Sequence, residues 1–82
     1  MENKLVDIYK GESIGNSLLS LAKEGEGYLS REERIKLADM ACRILENTRE
    51  KADSIKLKKC VELMSALKNS ASNLLANLNV GK

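Results

Sequence analysis

The sequence predicts an all-α fold. The expected form is a small helical bundle on a long antiparallel helical hairpin (about 31–51 and 54–79), with one or two short N-terminal helices (about 4–10 and 13–24). Three observations carry this. Leu supplies thirteen of the 82 residues, Val and Ile together only eight, and unbranched side chains keep rotamer freedom in a helix that β-branched ones lose. Proline is absent, so no position forbids a helical hydrogen bond. Between 31 and 79 there is no glycine, and apolar residues recur at alternating three- and four-residue steps, the spacing of one buried helix face.

At the N-terminus, Leu5, Ile8 and Tyr9 fall on one side of a short helix, with Asn3 placed to cap it and Gly11 to end it. Ser13 opens a second segment to about Glu24, where Ile14, Leu18, Leu21 and Ala22 recur at helical spacing. One bent helix from 4 to 24 is the other option, because an interior glycine costs a helix only about 1 kcal/mol relative to alanine. Glu24-Gly25-Glu26-Gly27 is the clearest loop. It lacks the alternating Asp/Asn ligands and closing Glu of a calcium loop.

Ser30-Arg31-Glu32-Glu33 is the strongest local signal. The Ser30 hydroxyl can accept from the amide of residue 33 while the Glu33 carboxylate accepts from the amide of residue 30, a capping box. Glu32 and Glu33 also suit the positive end of the helix dipole. Two apolar seams follow: Ile35, Ala38, Cys42 and Leu45, then Leu57, Cys60, Met64, Leu67, Ala71, Leu74 and Leu78. The stretch 46–56 between them is polar apart from Ala52 and Ile55, and Asp53 or Ser54 can cap a new helix there.

Folding the chain about residue 51 pairs Leu45 with Leu57, Cys42 with Cys60, Ala38 with Met64, and Ile35 with Leu67. The rival is one helix from 31 to 79, about 70 Å long at 1.5 Å per residue, whose seam would need a partner. In the hairpin, Ala71 falls opposite Arg31, so Ala71, Leu74, Leu75 and Leu78 outrun the first helix. Either the N-terminal segment or another protein chain must cover them. Asn69, Asn73 and Asn77 run down one face of the last helix, and residues 79–82 form its end.

With a mass of 9.1 kDa, the chain is expected to form a single helical domain, 1–82. Surface scaling gives about 4,900 Å² exposed if compact, so a chain this small gains from self-association or a partner. The net charge of +2 is uneven: residues 54–82 hold five basic groups against one acidic. No apolar h-region stands in the first thirty residues and no run reaches spanning length. The expectation is a cytoplasmic protein with reduced thiols.

There is no His, Trp or Phe. A Ser or Cys nucleophile has no imidazole base, no Lys lies on a predicted seam, and two Cys without His make half a zinc site. The sequence therefore predicts a non-enzyme with no cofactor and no metal, in which Cys42 and Cys60 are small buried hydrophobes. Membrane-surface binding is disfavoured by the Asn/Ser-rich far side of 57–78. The favoured function is a small protein–protein interaction module: an adaptor, an inhibitor, a small chaperone or an immunity-type protein. It would act through Leu57, Met64, Leu67, Ala71, Leu74, Leu75 and Leu78, on another protein or on a second copy. The alternative is a small dimeric helical regulator that meets nucleic-acid phosphates through Arg49, Lys51, Lys56, Lys58, Lys59 and Lys68.

Overall fold

A computed structural model describes residues 4–80. They form α1 (Lys4–Glu24), α2 (Arg31–Ser54) and α3 (Lys58–Val80), with no strand among the described residues. The fold is all-helical, and α1 and α2 pack as a hairpin. The caps expected at Asn3 and Gly81–Lys82 lie outside the described residues.

The two short N-terminal helices are corrected to one, because Gly11 does not stop α1. Gly11 and Gly15 serve close approach instead. A Cβ built on Gly15 would lie 2.6 Å from Leu45 Cδ2 and 2.7 Å from Leu45 Cγ, and one on Gly11 would strike the Thr48 side chain. Their missing side chains let α1 settle against α2. The inward residues of α1 are Ile8, Gly15, Leu19 and Ala22. The expected stripe of Ile14, Leu18 and Leu21 is displaced to one side: Ile14 and Leu21 are half exposed.

The loop after Glu24 turns where expected. Gly27 takes φ +93°, and the amides of Tyr28 and Leu29 both donate to the Gly25 carbonyl. The capping box then starts α2. The Glu33 amide donates to Ser30 Oγ at 3.1 Å, and the Ser30 amide donates to Glu33 Oε1 at 2.8 Å.

Helix α2 continues through the polar stretch expected to interrupt it. Ala38, Ala41, Leu45, Thr48 and Ala52 are all buried, so the seam continues at the same 3–4 steps on small side chains. The Thr48 hydroxyl donates to the Ile44 carbonyl at 2.7 Å, which satisfies the polar atom inside. The break comes at Ile55–Leu57, which removes the single-helix rival. The Leu57 amide reaches the Ala52 carbonyl and the Lys56 amide reaches that of Asp53, both at 3.0 Å, and Lys56 takes φ 60°. This is a Schellman close with lysine where glycine is usual. Asp53 and Ser54 thus belong to the end of α2 rather than capping a new helix.

The later turn resets the pairing with α3. Cys42 Sγ lies 3.5 Å from Ser72 Oγ, and Lys68 Nζ lies 3.3 Å from the Glu46 carboxylate. Both pairs centre on residue 57, not 51, so the expected partners of Cys42 and Leu45 move about twelve positions along α3. Arg31 does not face Ala71; its Nε donates to the Leu78 carbonyl at 2.6 Å. α3 therefore does not outrun α2. Ala71 and Met64 join Leu19, Ala41 and Leu45 in the core, with Leu18, Cys42, Leu67 and Leu74 packed on them.

α2 is the middle helix. α1 and α3 rest on two sides of it and scarcely touch each other. The result is a flat body of 44 × 20 × 14 Å. Its accessible surface, 5653 Å², exceeds the roughly 4,900 Å² of a compact chain of this mass.

Candidate interaction surface

The first turn of α2 holds the bundle end together. Arg34 Nε donates to the Ala22 carbonyl at 2.7 Å and its Nη2 to that of Lys23 at 3.4 Å. Arg31 does the same for α3 at Leu78. Each guanidinium thus meets the electronegative C-terminus of a flanking helix, and both arginines are committed to structure.

Of the residues expected to form an apolar partner surface on α3, Met64 and Ala71 are fully buried. Leu57, Leu67, Leu74, Leu75 and Leu78 are half-buried. The expected surface is thus split between core and flank, because the seam residues face α2.

Three exposed apolar residues, Ile14, Leu21 and Met40, lie on a strip shared by α1 and α2, while Leu5, Val6, Tyr9, Leu63 and Val80 are exposed outside it. On α1, Ile14, Leu18 and Leu21 follow i, i+4, i+7; on α2, Leu37, Met40 and Ile44 follow i, i+3, i+7. In an antiparallel pair, the residues one step before Gly15 and Leu45 turn to the same side, and the Gly15 Cβ position lies 3.6 Å from Ile44 Cγ2. The bonds Lys4–Ser54 and Arg34–Ala22 fix the register of the two helices. They set Ile14 beside Ile44, Leu18 beside Met40, and Leu21 beside Leu37. Ile14, Leu21 and Met40 are 51%, 53% and 48% exposed. This face points away from α3. Beyond Leu21, an open cavity of about 340 Å³ is lined by Ser20, Leu21, Glu24, Gly25, Tyr28 and Leu29, with Tyr28 almost wholly exposed. Sequence reading missed this face because Gly11 looked like a helix stop, which hid the true inward stripe of α1.

The six basic residues of the alternative reading do not form one free patch. Arg49 holds Glu46 through two bonds of 2.7 and 2.8 Å, and Lys68 holds the same carboxylate at 3.3 Å. Partial burial works to raise the Glu46 pKa, but hydrogen bonds from Lys68 and Arg49 outweigh it and bring it below the ordinary 4.5. Lys56, Lys58 and Lys59 are exposed around the α2–α3 turn and Lys51 is half-buried. Asp53 and Glu62 share a small cavity with Lys56 and Lys58.

Among the described residues, no group of three or more His, Cys, Asp or Glu is placed to hold a metal ion. No helix there is long and apolar enough to cross a membrane. No protein family, curated protein or solved structure matches the chain.

Proposed function

We propose that this chain is a small non-enzymatic protein-interaction module, cytoplasmic, that works through an apolar helical surface. The observation that carries the reading is the double strip on α1 and α2. Six aliphatic side chains at matched heights leave three of their number about half exposed on a chain of 82 residues. Contiguous exposed apolar patches larger than a few hundred Å² mark interaction sites on monomeric proteins. In this reading α2 and α3 form a long antiparallel hairpin, and α1 completes the binding face on α2. The test is Met40→Asp and Leu21→Asp. Both should keep helical circular dichroism and thermal stability near wild type, since surface substitutions usually cost little. Both should lose association with whatever covers the strip. Full retention of self-association and partner binding in both variants would end this reading.

Nucleic-acid binding has less support, because Glu46 engages two of the six candidate cations and Asp53 and Glu62 stand among the rest. It requires affinity for random duplex that falls steeply with salt and disappears on charge reversal at Lys56, Lys58 and Lys59.

A further inference from the structure

We propose that α3 exchanges between two copies of this chain. The α2–α3 turn straightens, residues 31–80 become one helix, and α3 docks on α2 of a second copy. This goes beyond the interaction reading and uses no contact of the α1–α2 strip.

The turn is built to straighten. It is three residues long, Ile55–Leu57, and neither glycine nor proline stands between 31 and 79. Lys56 takes φ 60° there, a left-handed conformation that a residue with a Cβ disfavours, and straightening relieves it. A short hinge under strain invites exchange of an element between protomers. In the straight helix the amides of 58–60 also gain the carbonyls of 54–56, acceptors that a helix N-terminus forgoes.

The contact faces stay in line when it does. Cys42 and Glu46 of α2 touch Ser72 and Lys68 of α3, and Met64 and Ala71 are the buried residues of α3. Glu46 to Met64 is eighteen residues and Cys42 to Ala71 twenty-nine, about five and eight turns at 3.6 residues per turn. A straight helix of roughly 75 Å thus carries both contact surfaces on one side. Two such helices pair antiparallel about a two-fold axis at Leu57, the centre of the Cys42–Ser72 and Glu46–Lys68 pairs. Every α2–α3 contact re-forms between copies instead of within one, and Leu57 meets its own counterpart, as an isologous interface requires. α1 stays on its own α2, and its few contacts with α3 pass to α3 of the second copy. Within six residues of the axis each copy carries Lys51, Lys56, Lys58 and Lys59 against Asp53 and Glu62. That like net charge opposes pairing, so added salt favours it.

The full chain is refolded over a hundredfold concentration range with added salt and reducing agent, then separated by size with light scattering. Wild type should show a fraction near twice 9.1 kDa that grows with concentration. Lys56→Gly favours the hairpin twice over, by removing the Cβ penalty and by weakening a continuous helix. It should weaken the dimer roughly tenfold at each of two hinges, about a hundredfold in all. Ser72→Cys combined with Cys60→Ala sets a second thiol beside Cys42. Oxidised after separation, the monomer fraction should run at 9.1 kDa in denaturing, non-reducing electrophoresis, and the dimer fraction at twice that mass. A monomer at every concentration overturns the exchange. A dimer whose bonds lie within each chain was joined by another surface and overturns it too. A dimer indifferent to Lys56→Gly overturns the hinge, and a monomer fraction that forms no bond overturns the 42–72 register on which the pairing rests.

Discussion

Gly15→Ala separates this packing from ordinary helix chemistry. In an exposed helix, replacing glycine with alanine stabilises by about 1 kcal/mol. Here the added methyl would fall 2.6 and 2.7 Å from two atoms of Leu45, inside any normal carbon–carbon contact. Leu45 is fully buried and belongs to the cluster of Leu19, Ala41, Met64 and Ala71, so it has little room to withdraw. Overpacking a filled core typically costs about 1–3 kcal/mol, and the boxed-in neighbour favours the upper part of that range. The net expectation is a loss of about 1–2 kcal/mol, or a melting temperature lower by about 5–15 °C for a chain this size. Urea titration by far-UV circular dichroism measures it, with an unchanged m-value showing that the unfolding transition is the same. In a double-mutant cycle with Leu45→Ala, the alanine at 15 should cost less, because its obstacle is gone. A Gly15→Ala variant as stable as wild type would refute the close approach of α1 and α2.

Lys56→Gly should stabilise by about 1 kcal/mol in the same titration, because glycine carries no Cβ penalty at positive φ; a loss would mean that the Schellman close is not formed. Ser30→Ala should cost about 1 kcal/mol by removing one arm of the capping box, read as a lower urea midpoint. Glu46 is held below its ordinary pKa in the fold, so its contribution is complete above the unfolded value of 4.5 and fades as pH falls through the lowered folded value. Glu46→Gln should therefore flatten the acid limb of the stability profile below about pH 4.5 and leave its slope above that unchanged. Mild oxidation should give no Cys42–Cys60 disulfide by mass spectrometry. Ser72, which touches Cys42, is twelve residues from Cys60 on α3, about 18 Å along the helix and far outside bridging range.

The helical class, the loop at 25–30 and the capping box were legible because each rests on local chemistry: side-chain entropy, glycine, and a Ser–Glu pair at fixed spacing. The α2–α3 break was misplaced because no glycine or proline marks it. A lysine takes the left-handed turn, and the polar surface of 46–54 conceals Thr48 and Ala52, which carry the buried stripe on from Leu45. A threonine and an alanine carry little weight in an apolar count, although a close neighbour needs small residues there. The same blindness affected α1. Glycine reads as a breaker in one dimension and as a contact in three, so Ile14, Leu18 and Leu21 took the place that Gly15 and Leu19 occupy, while Ile8 and Ala22 are buried as expected. One slip in the turn then carried the α3 surface with it. Met64 and Ala71, expected at a partner contact, are core.

The arrangement of α1 and α3 on a shared middle helix has a kinetic consequence. Tertiary contacts join helices that are neighbours along the chain, with only marginal contact between the first and last. Such a low contact order favours folding in microseconds to milliseconds. It also divides the molecule into two overlapping foldons that share α2. Amide exchange should then report two opening events, one releasing α1 with the Arg34 clamp and one releasing α3 with the Arg31 clamp. α2 should exchange only when both have left.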